Sequence, residues 1–324
     1  MRYSEMCETL GHGSVPSESK RNCRWWAGLL AIAVCCVAPG CSLRQEKFST
    51  PEDAAKALIL AAQSDQKDEV KKILGKGADD VTSSGDEIKD QLGRDKFLKA
   101  YDEKHELVAQ PDGSVTLQVG ADDWPMPIPI VKRWGSWRFD TTRGRDEILN
   151  RRIGRNELDA VQVCLAVVDA QREYAEKDRN GDGVLEYAKK FFSDPGEKNG
   201  LYWETSADEP PSPLGELAAD ASEEGYSTEA TQTGAPRPYH GYLFKMLTAQ
   251  GPNAPGGARD YMVDGKMTGG FAVVAWPAEY GNSGVMTFMV NNQGVVYQQN
   301  LGRKTARIAS SMSAFNPDLH WILE

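Results

Sequence analysis

The sequence predicts an α+β fold made of two modules, each with helices placed against an antiparallel sheet. Apolar residues recur at helical spacing over 49–105 and again over 154–178. They alternate with a period of two over 106–141 and after residue 240, where turn residues punctuate the pattern. Because helices precede strands in each half, we expect an α+β architecture.

Residues 1–40 are predicted to be a lipoprotein signal peptide. Three basic residues precede the apolar run 25–38, which is too short for a permanent membrane span. The run ends in "VAPGC", which resembles a lipobox with Cys41 as the residue that receives lipid. Ala38 and Pro39 are not the usual residues of that motif. Ordinary cleavage nearby, a retained anchor and translation from Met6 therefore stay open.

Residues 41–50 are predicted to be a polar tether between the lipid on Cys41 and the folded body. Ser42 follows the cysteine, and by resemblance to enterobacterial sorting this favours the outer membrane. We expect an outer membrane lipoprotein that faces the periplasm of the cell envelope, with the inner membrane as the alternative. Five of the six cysteines lie at or before Cys41, and Cys164 is interpreted as a small buried hydrophobe.

An N-terminal α+β domain is predicted over 51–148. "STPEDAAKALILAAQ" combines a hydroxyl cap, an early proline and apolar residues at helical spacing, and further helical stretches follow. Four segments then alternate with a period of two, and prolines at 125, 127 and 129 predict that the third is an edge strand. The predicted helices are 49–63, 66–75 and 83–105, and the strands are 106–110, 114–120, 126–133 and 135–141. This order indicates a cone-shaped or cystatin-like fold.

A C-terminal α+β domain is predicted over 151–324. One apolar stripe runs along a long helix, 154–178, and a short helix is expected at 184–192. Residues 203–240 are rich in Pro, Ser, Glu and Gly, which predicts a long loop with one helical turn near 214–223. Strands are expected within 241–250, 260–280 and 284–302. A long helix packed on an antiparallel meander follows from this pattern.

The stretch "EKDRNGDGVLEYAKK", 176–190, resembles the first part of a calcium loop. Asp178, Asn180, Asp182 and Glu186 fall at positions that supply oxygen ligands in such loops. Position 12, where a bidentate glutamate belongs, is Lys189. The residues therefore predict either a weak structural calcium site or a polar turn whose glycines and acids connect two elements.

Other chemistry-bearing residues are sparse. The three histidines after the leader are not at metal-ligand spacing, and we expect a structural hydrogen bond from His240 more than general-base chemistry. Asp86 and Asp140 are the candidate acids if the N-terminal domain is hydrolytic. Four aromatic residues of the first sheet would form core packing or line a groove. They are Trp124, Trp134, Trp137 and Phe139.

Composition limits the partner classes. Charged residues make up 26 % and hydrophobic residues 40 % of the 324 residues, which is typical of globular proteins. The formal net charge is −10. Nucleic-acid binding needs a basic patch, and none is apparent along the body of the chain, so we expect no nucleic-acid partner.

Long motifs resemble a bacterial lipoprotein family catalogued as domain of unknown function 2950. The motifs include "YAEKDRNGDGVLEYAKKFFSDPGEKNGLYW", "DWPMPIPIVKRWGSWRFDT" and "YMVDGKMTGGFAVVAWPAEYGNSGVMTFMVNNQGVVYQQNLG". The resemblance covers nearly the whole chain after the leader. It implies a cell-envelope lipoprotein, and it brings no activity and no catalytic residues.

A second resemblance concerns the C-terminal part alone. Helix 154–178, "YLFKMLT" and "AWPAEYGNSGVMTFMVNNQGVVY" are similar to the head of type IV pilins and pseudopilins. In those heads an amphipathic helix packs on an antiparallel meander. A pilin continues its leader helix directly into the head, whereas about 100 residues intervene in this chain. The N-terminal module is faintly similar to nuclear-transport-factor-2-like folds.

Three functions follow as expectations. The first is a non-enzymatic binding or scaffolding module, anchored by lipid on Cys41 and open to an envelope protein partner. The second is a ligand-binding or hydrolytic protein that uses a pocket in the N-terminal cone, which rests on fold analogy. The third is a minor pseudopilin-like component of a secretion machine.

Overall fold

The computed structural model describes residues 45–206, 208–226 and 237–324. The predicted signal peptide and Cys41 lie outside these residues. The described residues form one compact unit with two hydrophobic cores. Helices and antiparallel sheets are mixed in the described chain, which confirms the predicted α+β class. Among the described residues, no helix has both the length and the apolar character needed to cross a bilayer.

Four helices open the N-terminal half, and three of them were predicted. Thr50 accepts a hydrogen bond from the backbone N–H of Asp53 at 3.1 Å and so caps the first helix. Asp86 caps the fourth helix in the same way. The third helix is one short turn that no periodic pattern marks. The helices are α1 Pro51–Gln63, α2 Lys67–Leu74, α3 Ala78–Thr82 and α4 Glu87–Glu103.

The N-terminal sheet is antiparallel, with strand order β1-β2-β4-β5 and β3 paired to β2. Its inward side chains pack with α1 and α2 around Leu117, Ile130 and Phe139. The edge-strand prediction for 126–133 is wrong, because β4 begins after the last proline and lies between β2 and β5. The strands are β1 His105–Ala109, β2 Val115–Val119, β3 Trp124–Pro125, β4 Ile130–Arg133 and β5 Ser136–Phe139.

Part of the predicted tether belongs to the folded body. The side-chain amide of Gln45 donates to the carbonyls of Ile73, Leu74 and Phe139 at 3.2, 2.9 and 2.7 Å. Phe48 exchanges two backbone hydrogen bonds with Trp137 beside β5. The described chain is therefore held to the N-terminal half from its first residue.

One helix, α5 Thr141–Ala175, runs from the N-terminal half into the C-terminal half. It begins 13 residues before the predicted start at 154, directly after β5. A Cβ atom on Gly144 would overlap the carbonyl of Pro127, so glycine permits the close approach of α5 to that segment. The division at 148/151 stays a prediction: each half has its own core, and α5 is continuous across the boundary.

The helix predicted at 184–192 is absent from the structure, and this prediction is wrong. Gln171 of α5 exchanges two hydrogen bonds of 2.8 Å with the backbone of Ala188. Tyr187 donates its backbone N–H to Met267 at 2.9 Å. These backbone groups bond to distant partners, and the segment forms no helix. The helical turn predicted near 214–223 is confirmed as α6 Gly215–Glu223.

The C-terminal half contains a five-stranded antiparallel sheet with order β15-β13-β12-β11-β6. Its strands are β6 Tyr242–Leu247, β11 Ala272–Pro277, β12 Thr287–Asn291, β13 Val296–Gln299 and β15 Ile322–Leu323. Shorter strands flank it: β7 Ala249–Gln250, β8 Arg259–Asp260, β9 Met262–Val263, β10 Lys266–Met267 and β14 Ala314–Phe315.

Two helices pack on this sheet. α5 contacts β12, and an unpredicted helix, α7 Thr305–Ser311, contacts β11. Every residue of β11 and β12 is buried. Because alternate strand residues face opposite sides, burial at every position means that both faces of these strands are covered. A long helix on an antiparallel meander agrees with the prediction in outline, and the likeness to a pilin head stays a prediction.

Candidate functional site

The predicted calcium loop follows the end of α5. Both carboxylate oxygens of Asp178 accept backbone hydrogen bonds, from Gly181 at 2.8 Å and from Gly183 at 2.7 Å. The hydrogen bond from Gly183 is the main cause of a pKa of Asp178 that lies below its usual value. Gly181 and Gly183 have positive φ, which the turn requires. Asp178 therefore organises the loop whether or not a cation is bound.

The other predicted ligands lie in the same loop. Asn180 donates through its side-chain amide to Glu186 at 3.2 Å. Asp182 pairs with the ammonium of Lys266 at 2.6 Å, and Lys189 lies 3.5 Å from Glu186. Two lysines thus already supply positive charge to the carboxylates that calcium would need. The hydrogen bond from Lys266 is the main cause of the lowered pKa of Asp182.

No three acidic, histidine or cysteine side chains converge as a metal site requires in the part of the chain that the structure describes. The predicted set also uses the amide oxygen of Asn180 and a backbone carbonyl. The calcium site at Asp178, Asn180, Asp182 and Glu186 therefore stays a prediction, beside the observed role of these residues in the turn.

Calcium dependence of unfolding tests this prediction. When the free calcium concentration is 100 times the Kd of the site, binding adds about 2.7 kcal/mol to the free energy of unfolding. The prediction requires a higher melting temperature in 10 mM calcium than in chelator, and the double variant Asp178→Ala/Asp182→Ala should remove that difference. Asp194→Ala, in a separate exposed turn, is the matched control. Equal melting of the wild type in both buffers would leave the turn as the sole role of the loop.

A second set of polar side chains gathers where four segments meet. His240 lies in a tight turn, with its Nδ1 atom 2.7 Å from Asp159 of α5. Its Nε2 atom is 2.9 Å from Glu224, an ion-pair distance without hydrogen-bond alignment. Lys89 of α4 pairs with Asp159 at 2.6 Å and lies 2.9 Å from Nδ1 of His240. We call Lys89, Asp159, Glu224 and His240 the His240 cluster.

Aromatic rings enclose one side of the His240 cluster. Tyr226 stacks on the imidazole with a 14° angle between the rings, and Tyr239 meets it edge-on at 4.1 Å. The His240 side chain is 15 % exposed, which leaves the cluster in contact with solvent. Burial and nearby carboxylates raise the pKa of both tyrosines above their usual value, so both rings stay neutral.

Asp86 bonds to residues in and next to the His240 cluster. This residue is 2 % exposed, and its carboxylate accepts three hydrogen bonds. The donors are the backbone N–H of Lys89 at 3.1 Å, the hydroxyl of Tyr226 at 2.8 Å and the backbone N–H of Gly241 at 3.0 Å. Asp86 therefore joins α4 to the turn that carries His240.

The electrostatics favour a structural role for this cluster. Partial burial acts to raise the pKa of Asp159, but the hydrogen bonds from His240 and Lys89 outweigh it and lower the pKa to about 2. Asp159 is thus ionised at neutral pH and accepts hydrogen bonds from Lys89 and His240, as the predicted structural hydrogen bond of His240 requires. Lys89, Asp159 and Glu224 were not predicted, since they come from separate segments.

An open groove of about 440 Å³ lies on the N-terminal half. Asp112 and Arg143 form an ion pair of 2.9 Å in it. Hydrogen bonds from the hydroxyl and the N–H of Ser114, followed by the one from Arg143, lower the pKa of Asp112 to about 2. The lining is polar with rigid prolines: Gln110, Pro111, Asp112, Ser114, Thr116, Pro127, Pro129 and Arg143.

The four aromatic residues of the first sheet do not act together. Phe139 is 1 % exposed and belongs to the core, and Trp137 packs partly against it. Trp124 is 40 % exposed and Trp134 is 89 % exposed. The sheet divides these rings between the core and solvent. Core packing, one of the two alternatives, therefore holds for Phe139 and in part for Trp137, and the four rings do not line one groove.

The remaining predicted residues have structural partners. Cys164 is fully buried, and burial raises the pKa of its thiol to about 12. This agrees with its interpretation as a small buried hydrophobe. Asp140 pairs with Arg133 at 2.8 Å. Asp86 is occupied by the three donors described above. Neither candidate acid lines the groove.

Comparison with known proteins gives the family. A family model described as "Protein of unknown function (DUF2950)" matches residues 45–323, which is most of the chain. No curated protein and no solved structure matches. The matched residues include both cores, the His240 cluster and the groove. The chain belongs to the DUF2950 family.

Proposed function

We propose that this protein is a lipid-anchored binding module of the bacterial cell envelope, attached to the outer membrane through Cys41 and facing the periplasm. The role is that of a non-enzymatic binder or scaffold. It brings an envelope partner to the membrane surface by contacts of the folded body.

One observation carries the proposal: the folded body begins directly after the predicted lipidation site. Gln45 is already fixed by three hydrogen bonds, and Phe48 is paired with β5 by two more. Residues 42–44 alone separate Gln45 from Cys41. Every described helix and strand lies after residue 50, so cleavage before Cys41 would remove none of them. This supports a leader that is cleaved before Cys41.

The groove supports the binding part of the proposal. Its prolines keep the backbone rigid, and its polar groups can donate and accept hydrogen bonds without a large ordering cost. A hydrolytic acid must hold a proton near neutral pH. The low pKa of Asp112 keeps that carboxylate ionised, so the groove is better suited to binding than to acid catalysis.

A second candidate is a carrier of a small polar ligand in the same groove. Its supporting observation is the volume of about 440 Å³, which falls in the range of small-molecule pockets. The Asp112–Arg143 pair would then meet opposite charges on one ligand. The secretion-component alternative rests only on the outline of the helix and meander in the C-terminal half.

Site-specific crosslinking in cells tests the proposal. A photo-crosslinking residue in place of Thr116, inside the groove, is expected to give one discrete protein adduct in outer membrane fractions. The same residue in place of Asp102, an exposed position of α4, is the control and should give none. Protease should degrade the protein only after the outer membrane is opened. The absence of an adduct at 116, or equal adducts at both positions, would contradict a binding groove.

A further inference from the structure

The β4–β5 hairpin carries a residue that the fold does not need. Its two-residue turn is Trp134–Gly135, with φ of +51° and +81°. A turn with positive φ at both positions is normally built from Asn-Gly or Asp-Gly, because a large side chain is strained there. Trp134 is also 89 % exposed, so its ring gains almost no burial.

The other residues with positive φ have a reason for it. Five non-glycine residues of the described chain adopt this conformation, and three are aspartates, which tolerate it. The fourth, His240, is held by its hydrogen bond with Asp159 and by neighbouring aromatic rings. Within the described chain, Trp134 has neither burial nor a stacked ring to offset the strain, and its ring lies against the side chain of Arg138. A strained and exposed residue of this kind indicates a contact made with another molecule.

Basic side chains surround this tryptophan. The guanidinium of Arg138 lies 5.3 Å from the Trp134 ring, and the ammonium of Lys132 lies 5.7 Å from the Trp137 ring. Arg133 is paired with Asp140, and segment 130–138 contains no acidic residue. The hairpin is therefore a local cationic site in a chain whose net charge is −10. Its electrostatic complement is an anionic surface.

The hairpin also adjoins the segment that leads to the anchor. Phe48 pairs with Trp137, and Trp134 is three residues further along the hairpin, about 10 Å away at strand spacing. Gln45 is fixed at the opposite end of β5, and four peptide steps to Cys41 span at most about 14 Å. Residues 134 to 139 span about 17 Å at strand spacing, so the chain length limits the distance between Cys41 and Trp134 to about 30 Å.

We propose that the β4–β5 hairpin docks on the anionic lipid surface to which Cys41 attaches the chain, with Trp134 in the head-group interface. Tryptophan prefers this region of a bilayer, and Lys132 and Arg138 would attract anionic head groups. The docking rests on the proposed function for its anchor. Two points of attachment would fix the orientation of the folded body at the membrane.

Quenching of tryptophan fluorescence by brominated lipids tests the docking. The full chain, processed in cells and purified in detergent, is reconstituted in vesicles of phosphatidylcholine with brominated phosphatidylglycerol. Quenching is expected in the wild type, from one of the six tryptophans after residue 40, and should vanish in Trp134→Ser. Trp124→Ser is the matched control, because Trp124 is half-exposed on the same sheet. It should keep the quenched component.

The contribution of charge is tested with the double variant Lys132→Ala/Arg138→Ala, which should reduce quenching severalfold. Salt at 0.5 M, or vesicles with a neutral brominated lipid, should reduce it in the same way. Equal quenching in the wild type and Trp134→Ser would overturn the docking, and a protein contact would then explain the exposed ring. Failure of the anchor is a separate result, seen as wild-type protein without attached fatty acid. Both tryptophan variants have the same N-terminus. The difference in quenching between them therefore tests the docking whether or not the lipid is attached.

Discussion

Asp86→Ala is expected to lower the free energy of unfolding by about 4 kcal/mol. The substitution removes a buried acceptor of three hydrogen bonds and leaves the Tyr226 hydroxyl and the Gly241 N–H without a partner. Each buried group left unsatisfied costs about 1–3 kcal/mol, and the lost helix cap adds about 1 kcal/mol. Urea unfolding followed by circular dichroism measures the change as a lower midpoint at an unchanged slope.

Two controls separate the contributions to this loss. Thr50→Ala removes a solvent-exposed helix cap of α1 and should cost about 1 kcal/mol. Asp102→Ala changes an exposed carboxylate of α4 and should stay within about 0.5 kcal/mol. If Asp86→Ala cost no more than Thr50→Ala, the bonds to Tyr226 and Gly241 would not join α4 to the His240 turn.

Cys41→Ala is expected to abolish labelling of the protein by radioactive fatty acid in growing cells. The predicted lipid is attached to the thiol of this residue, so its removal leaves no acceptor. The loss should be complete rather than partial, because the lipobox-like pattern marks one cysteine. Immunoprecipitation from labelled cells, followed by autoradiography, measures the attached label.

The leader provides its own matched control. Cys36→Ala changes another cysteine of the same apolar segment and should leave the labelling unchanged. Cys164→Ala, in the core, should also leave it unchanged. Equal labelling of Cys41→Ala and the wild type would show that the lipid is elsewhere, and the anchoring part of the proposed function would be lost.

Periodicity predicted the elements that bury a regular face. The apolar spacing of α1, the alternation of β2 and the stripe in the second half of α5 all report a side that packs against a core. The first turns of α5 were missed because that part makes polar contacts. Thr141 donates to the carbonyl of Leu74, and Arg145 pairs with Asp80. No apolar period marks such a helix.

The opposite error occurred at 184–192, where a helix was predicted and the structure has irregular chain. Ala188 and Phe191 pack against the core, whereas Leu185 is exposed. The backbone of Ala188 is bonded to the side chain of Gln171. A side chain 17 residues away cannot be found from local spacing. Tertiary hydrogen bonds thus overrode local propensity in this segment.

The candidate sites show the same limit. The Asp-rich loop was found because its residues are contiguous. The His240 cluster was missed because Lys89, Asp159 and Glu224 are brought together only by the folded chain. Trp134 falls between the predicted strands 126–133 and 135–141, and therefore in a turn. Its grouping with the other aromatic residues of the sheet did not indicate that it is exposed, because tryptophan is usually largely buried.

Intact mass spectrometry of the mature protein tests the central claim most directly. The account predicts that the first residue is Cys41 and that this residue carries the added mass of an attached lipid. Digestion should place the whole added mass on the N-terminal peptide. An unmodified N-terminus, or a chain that retains residues 1–40, would contradict the proposal of a lipid-anchored envelope module.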